Sequence, residues 1–309
     1  MTTNTTPDLA GFTAEDLPDL TGTRAVVTGA NSGIGEHTAR ALAEHGAEVV
    51  LACRNVESGG KVASEIDGAT VVEELDLASQ ASVRGFADRF EGPLDLLVNN
   101  AGVMTPPKYR ETEDGFELQL GTNHLGHFAL TGLLLPALLE SAVPRVVVVA
   151  SVAHHRGDES VLEGNPESSY NASKDYGNSK LANLLFAHEL QRRAEEASSK
   201  LTVTSAHPGV SATNLVGSPD GMGANPVIRR LAPFVVPILM QSSLAGARPT
   251  LWQATYGEPG SYVGPQRMRE VRGRLGEAKL SRYARDEDLA RRLWDLSEDW
   301  TGVTFDLSS

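Results

Sequence analysis

The chain has 309 residues, enough for one large α/β domain or two small ones with a full core. With 40% hydrophobic and 22% charged residues it reads as globular, and its formal net charge of −13 excludes the basic face that nucleic acid or an anionic membrane requires. One cysteine, Cys53, excludes an internal disulfide and a cysteine-based zinc cluster.

Met1–Leu20 is polar and acidic, carries Pro7 and Pro18, and lacks the apolar stretch of a signal peptide. Residues 1–20 are therefore expected to form a flexible lead. The longest apolar runs, such as Val146–Ala150 and Phe234–Met240, are too short to span a bilayer. A cytoplasmic protein without membrane partners is expected.

From Arg24 onward, strand-like and helix-like segments alternate. Arg24–Thr28, Glu48–Ala52, Thr70–Glu73, Leu94–Val98, Arg145–Ala150 and Leu201–Ala206 are apolar or β-rich runs of strand length. Between them lie helical patterns, as in Val83, Phe86, Ala87 and Phe90 at i, i+3, i+4, i+7. Strands separated by helices require crossover connections. The expected fold is α/β: a Rossmann-type doubly wound parallel sheet of about seven strands with helices on both faces, in one domain over residues 21–264.

The first strand-to-helix turn is Thr28-Gly29-Ala30-Asn31-Ser32-Gly33-Ile34-Gly35. Glycines there let the backbone approach a pyrophosphate, and the helix N-terminus adds free N–H groups and a positive dipole end. The turn makes Gly29, Asn31, Ser32, Gly33, Ile34 and Gly35 candidate cofactor contacts; the alternative is a turn whose glycines are purely structural. The second strand ends at Ala52-Cys53-Arg54-Asn55. An acidic residue there would suit the ribose 2′-hydroxyl of NAD, an arginine the 2′-phosphate of NADP. Arg54 therefore favours NADP(H) over NAD(H), against the alternative of a solvated surface arginine. Asp76 follows the third strand and Asn99-Asn100-Ala101-Gly102 the fourth, at the strand ends where open α/β sheets bind ligands.

Tyr176-Gly-Asn-Ser-Lys180 lies in a segment with helical character over Ala172–Ala197. A tyrosine and a lysine four apart share a helical face. An ammonium beside a phenol favours the phenolate, which makes a candidate general acid/base. Tyr170-Asn-Ala-Ser-Lys174 has the same spacing. It follows Pro166 and Ser168-Ser169, which places Tyr170 at a loop or first turn, whereas Tyr176 runs into Leu181, Leu184 and Leu185 on a helix that can anchor to the sheet. Tyr176 is therefore preferred.

Several other residues take plainer readings. His124 and His127, three apart, have no carboxylate or third ligand at useful spacing, so helix packing and capping are preferred and no metal site is expected. His154-His155 reads as a loop lining, His207 as strand-end packing, and Asp175 as a solvated side chain. An apolar segment over residues 227–240 can be core, oligomer contact or lid, and Ser243–Thr255 reads as a helix. Residues 265–309 form a tail in which Leu289, Leu293, Leu296 and Trp300 mark one face of an amphipathic helix, packed on the domain edge or on a partner.

Taken in order, T-G-x-x-x-G-I-G, Asp76-Leu77, N-N-A-G, a serine after the fifth strand, Y-x-x-x-K and Pro208-Gly209 resemble the short-chain dehydrogenase/reductases of the classical type. Ala52-Cys53-Arg54, Ser179-Lys180-Leu181-Ala182-Asn183 and Ala290-Arg291-Arg292-Leu293-Trp294 are similar to the branch that includes retinol-dehydrogenase-like enzymes. The resemblance spans Asp16 to Trp300. It implies that Gly29, Gly33, Ile34 and Gly35 hold the pyrophosphate, that Asp76 and Leu77 meet the adenine, and that Asn100, Ala101 and Gly102 line the adenosine side. By the same resemblance Ser151 binds the substrate oxygen, Tyr176 moves the proton, and Lys180 binds the nicotinamide ribose and lowers the tyrosine pKa. Asn123 supports a water in the proton relay, and Pro208, Gly209 and Thr213 hold the nicotinamide end. A lid over about residues 214–242 then covers an apolar substrate, and a homodimer or homotetramer is a possible assembly. The expectation is an NADP(H)-dependent oxidoreductase that interconverts an apolar carbonyl compound and its alcohol. The alternatives are a catalytically silent NADP(H)-binding regulatory or scaffold protein and, on the same fold, sugar-nucleotide epimerisation.

Overall fold

The computed structural model describes residues 6–209 and 242–308. In chain order its elements are β1 (Arg24–Thr28), α1 (Gly33–Glu44), β2 (Glu48–Cys53), α2 (Val56–Ser64), β3 (Thr70–Glu74), α3 (Gln80–Arg89) and β4 (Leu96–Asn99). A short α4 (Leu118–Leu120) and a π turn (Gly121–Leu125) then lead into α5 (Gly126–Glu140) and β5 (Arg145–Val149). They are followed by α6 (Ala172–Glu196), β6 (Thr202–Ala206), α7 (Ser243–Thr255), β7 (Tyr262–Arg267), β8 (Arg272–Glu277) and α8 (Glu287–Thr301).

The strand order is β3-β2-β1-β4-β5-β6-β7-β8, parallel from β3 through β7. Alternate strand residues feed two cores, because successive side chains point to opposite faces. Val26, Val50, Leu97, Val146 and Val148 face Phe128, Phe186 and Trp294 of α5, α6 and α8. Ala25, Val27, Leu51, Val98 and Val147 face Leu42 of α1 and Leu251 and Trp252 of α7. Strands buried on both faces read as continuous apolar runs, which is why the sequence shows them so clearly.

Two expectations about the ends of the domain need correction, and the sheet expected with about seven strands has eight among the described residues, because Arg272–Glu277 closes an antiparallel hairpin on β7. That strand reads Arg-Gly-Arg-Leu-Gly-Glu and buries only Leu275, so no periodicity announces it. The domain boundary set at residue 264 falls inside β7. The lead is not a free tether over its described part. Phe12 is fully buried, edge-on to Trp252 and Tyr256 with ring centroids 5.3 and 6.1 Å away. The Arg248 Nε donates to the Phe12 carbonyl and the Tyr256 hydroxyl to that of Asp16, at 2.5 and 2.9 Å. One aromatic side chain anchors an otherwise polar segment, since burying a Phe is worth about 1.5–3 kcal/mol.

The tail helix packs within the domain. Its buried face is Leu289, Ala290, Leu293, Trp294, Ser297 and Thr301, rotated from the expected one so that Leu296 and Trp300 lie at its margin. Trp294 stacks on Phe186 at 5.9 Å, and the Arg193 guanidinium lies 4.4 Å over its ring. Among the described residues, no helix is long and apolar enough to cross a membrane.

Candidate active site

Strand order reverses between β1 and β4, and a crevice opens at the carboxyl ends of the strands at such a reversal. Thr28 ends β1, and its buried hydroxyl accepts the backbone N–H groups of Asn100 and Ala101, both at 2.9 Å. The Asn100 amide donates back to the Thr28 carbonyl at 2.8 Å, locking the two loops together. Gly29 and Gly33 have φ of 65° and 61°, conformations that suit glycine. A Cβ on Gly35 would lie 2.4 Å from the Gly29 carbonyl oxygen and 2.5 Å from the Asn100 amide, so α1 can start this close to the loop only as glycine. Ser32 is the N-cap of α1 and its side chain makes no capping bond, while Ile34 is buried. A glycine cradle before a helix N-terminus fits a dinucleotide pyrophosphate.

The adenosine-side candidates surround this turn. Asn31 donates to the Ser58 hydroxyl at 2.8 Å and so ties the turn to α2. Arg54, at the end of β2, is exposed and makes no ion pair with the described residues. Asp76 accepts the Ala78 N–H at 2.9 Å, and Leu77 is buried against the start of α5, where a Cβ on Gly126 would meet its carbonyl at 2.4 Å.

The chemical end is built where α6 crosses the ends of β4 and β5. Asn171 caps α6 by accepting the N–H groups of Ser173 and Lys174. A short 3-10 turn, Val152–Arg156, carries Ser151 as its N-cap, with Oγ accepting the Ala153 N–H at 3.2 Å. A Cβ on Gly177 would sit 2.9 Å from the Ala153 carbonyl, and one on Gly157 2.8 Å from that of Gly177. This glycine contact lets the turn lie flush on α6 and brings Ser151 and Arg156 to the Tyr176 phenol. Burial pushes the phenol above its ordinary pKa; Ser151 and the Arg156 guanidinium pull it back.

Lys180, expected to lower the tyrosine pKa, lies over the Tyr176 ring. Its Nζ donates to the Val149 carbonyl at 3.1 Å and lies 6.0 Å from the Tyr176 ring centroid. Burial lowers its own pKa to about 8. Ser151 and Arg156 also favour the phenolate, and Arg156 was not among the predicted residues.

Asn123 is fully buried in the π turn, where the Gly126 N–H reaches back five residues to Gly121. Its side chain accepts the Val103 N–H at 2.7 Å and donates to the Val103 carbonyl and the Ser179 hydroxyl at 3.0 and 2.9 Å. Gly102 is wedged between Asn123 and Lys180, since its Cβ would stand 3.0 Å from the Asn123 Oδ1 and 3.6 Å from the Lys180 Nζ. The structure therefore gathers Gly102, Asn123 and Lys180 about one point and links Ser151 to Tyr176. At the far end Gly209 has φ of 68° and follows Pro208; its Cβ would lie 2.2 Å from the Val271 carbonyl of the β7–β8 hairpin. Thr213 and the lid over residues 214–242 lie outside the described residues, apart from Ser242, the N-cap of α7.

The histidines and Asp175 do more than the sequence suggested. His154 is fully buried; its Nδ1–H donates to the Ser151 carbonyl at 2.7 Å and its Nε2 accepts the Ser281 N–H at 3.2 Å. Only this tautomer serves both partners, and burial holds its pKa near 4. His207 accepts the Gly209 N–H at Nδ1 and directs Nε2 toward Glu270, 3.5 Å away. Asp175, expected in solvent, is 4% exposed and accepts the Asn171 N–H. Burial, with the Glu117 carboxylate nearby, raises its pKa to about 6. Polarity alone suggested exposure; the N-cap loop folds over it.

Known proteins resemble this chain in sequence and in fold. The short chain dehydrogenase family model matches residues 23–220. Human retinol dehydrogenase 11 is 42% identical over 295 residues, covering 93% of this chain and 88% of that protein. Mouse retinol dehydrogenase 14 is 41% identical over 306 residues, covering 91% and 86%. A crystal structure of an uncharacterized protein from Mycobacterium paratuberculosis superimposes with a TM-score of 0.80 at 42% identity, over 96% of this chain and 99% of that one. The Pseudomonas aeruginosa RhlG/NADP active-site complex superimposes with a TM-score of 0.60 at 25% identity, over 79% and 94%. The chain belongs to the short-chain dehydrogenase family, in its retinol-dehydrogenase-like branch, and is an oxidoreductase acting on CH–OH groups.

Proposed function

We propose that the protein is an NADP(H)-dependent oxidoreductase that interconverts an apolar, retinoid-like carbonyl compound and its alcohol, with Tyr176 as general acid/base. The observation that carries the proposal is the placement of Tyr176 beside the buried Lys180, whose Nζ lies 6.0 Å from its ring centroid, with the Ser151 turn packed on the same helix through Gly177. When bound, the nicotinamide supplies the hydride acceptor or donor. Ser151 and the Tyr176 hydroxyl hold the substrate oxygen between them. Tyr176 gives its proton to that oxygen in reduction and takes it in oxidation, help worth about 10²–10⁴-fold.

With NADP(H) as cofactor, reduction of the carbonyl is the favoured direction. Lys180 and Asn123 hold the ribose end around Gly102. Support for NADP(H) comes from Arg54, an exposed guanidinium beside the turn that Asn31 ties to Ser58. Support for an apolar substrate comes from the retinol dehydrogenases that the chain resembles and from its own apolar segment over residues 227–240.

The deciding assay follows NADPH and NADH consumption against retinal and a panel of apolar aldehydes and ketones. NADPH-dependent reduction is expected; binding of NADPH with no turnover on any carbonyl would favour the silent regulatory alternative. Arg54→Ala should lower the NADPH-over-NADH preference, and an unchanged preference removes Arg54 from the cofactor reading.

A further inference from the structure

His127 sits one turn beyond Asn123, 1% exposed, with both ring nitrogens engaged. Its Nδ1 is 2.9 Å from the Asn123 carbonyl oxygen and its Nε2 is 2.9 Å from the Thr28 Oγ1. A carbonyl can only accept, so Nδ1 carries the hydrogen and Nε2 is bare. The Thr28 hydroxyl must then donate to Nε2, which turns its two lone pairs to the N–H groups of Asn100 and Ala101. The opposite tautomer would set a bare Nδ1 against a carbonyl and ask one hydroxyl oxygen to accept three hydrogens. The doubly protonated ring is excluded by burial and by the nearby Lys180, which together hold the pKa near 4.

We infer that His127 is a positioning residue that joins the two halves of the site, its Nε2 setting the Thr28 hydroxyl behind the cofactor turn and its Nδ1–H setting the Asn123 carbonyl. The Thr28 hydroxyl has one other acceptor within reach, the Val98 carbonyl at 3.3 Å. Without His127 the hydroxyl turns there, and the Asn100 and Ala101 amides lose a well-aimed acceptor. On the other side, the His127 ring takes up the carbonyl of Asn123 inside the π turn. Asn123 is bonded in turn to Ser179, whose hydroxyl donates to the Tyr176 carbonyl at 2.9 Å. One neutral ring thus spans from the loop ahead of the glycines to the backbone of the proposed acid/base. The inference about turnover rests on the function proposed above; the inference about Thr28 does not.

The two nitrogens can be tested separately, because an asparagine amide places a donor near Nδ1 and a glutamine amide places an acceptor near Nε2. In His127→Gln the NADPH Kd, from fluorescence titration, should stay within about twofold while kcat for retinal reduction falls about tenfold, the scale of one lost buried hydrogen bond. In His127→Asn the pattern should invert, with kcat within about threefold and Kd raised about tenfold. His127→Leu should lose both. If it does not fold, the Asn and Gln variants decide alone. Two variants that shift Kd and kcat together in proportion to Tm, or that shift neither, overturn the inference and leave His127 a packing residue. A cofactor-free readout is the ¹⁵N shift pattern of the His127 ring in the whole protein: Nδ1–H supports the assignment and Nε2–H sinks it. If Tyr176→Phe keeps its turnover, the proposed function fails. The Kd contrast and the tautomer then still decide the Thr28 arm.

Discussion

The two Tyr-x-x-x-Lys pairs, six residues apart, have opposite fates. Tyr170 closes a 3-10 turn over Glu167–Ser169, one residue ahead of the Asn171 N-cap, and so never enters the helix. Its hydroxyl donates to the Pro106 carbonyl at 2.5 Å and its ring meets Tyr109 edge-on at 5.7 Å, pinning the loop that follows β4. Burial and the Glu117 and Asp175 carboxylates push its pKa to about 12, and its lysine leaves it to pair with Asp158 at 3.2 Å in solvent. Tyr176 and Lys180 both lie inside α6, with Ser151, Arg156 and the Val149 carbonyl around them. An i, i+4 spacing gives a shared face only when both residues are helical. What separates the pairs is the cap between them and the glycine contact behind Tyr176.

The largest test of this contrast is chemical. Tyr176→Phe should cost at least about 10²-fold in turnover with NADPH affinity unchanged, whereas Tyr170→Phe should stay within about threefold. The reverse ranking would falsify the assignment of the two tyrosines. Gly177→Ala is next. An alanine in an open helix position adds about 0.5–1 kcal/mol of stability, but here its Cβ meets the Ala153 carbonyl at 2.9 Å and the Arg156 Cβ at 3.0 Å. We expect instead a loss of about 1–3 kcal/mol, read from Tm, with kcat down about tenfold as Ser151 is levered from Tyr176. A stabilised, fully active variant would remove the glycine contact from the account.

Asp175 lies between the pairs and offers a pH test. Its folded pKa of about 6 is above the ordinary aspartate value of 3.8, so the buried carboxylate costs stability above pH 6, and that cost fades as pH falls through 6 toward 4. Asp175→Asn should therefore raise stability at pH 8 by about 1 kcal/mol and by little at pH 4, measured by denaturant melts at both values. An equal gain at both pH values would show that the carboxylate is not strained. The smallest effects belong to the decoy pair. Tyr170→Phe should cost about 1 kcal/mol for the bond lost at Pro106, and Lys174→Ala at most about 0.5 kcal/mol, because its ion pair is exposed. A loss of several kcal/mol at Lys174 would mean that the exposed pair is more than a surface contact.

The parallel sheet was legible because its strands are buried on both faces and its glycine turn cannot be replaced residue by residue. β8 was not, since an edge strand with one buried leucine has almost no hydrophobic pattern. The lead was misjudged because its average polarity hides Phe12, and a single aromatic anchor is invisible to composition. Asp175 was misjudged for the converse reason: a charged residue signals solvent unless one knows that Asn171 folds back to cover it.

By itself the sequence determined the α/β architecture, the place of the cofactor turn and the order of the chemical residues along the chain. These are local properties, set by period, glycine conformation and spacing. The tertiary structure decided which partners those residues meet. Arg156 and His154 reach the site on a 3-10 turn, and His127 at the start of α5 just after a π turn, features that no periodicity encodes. Lys180 turns its ammonium to the Val149 carbonyl because burial leaves it that acceptor within reach. Distances across the fold fix hydrogen bonds and pKa values, and they exist only once the sheet has brought the ends of β1, β4 and β5 together.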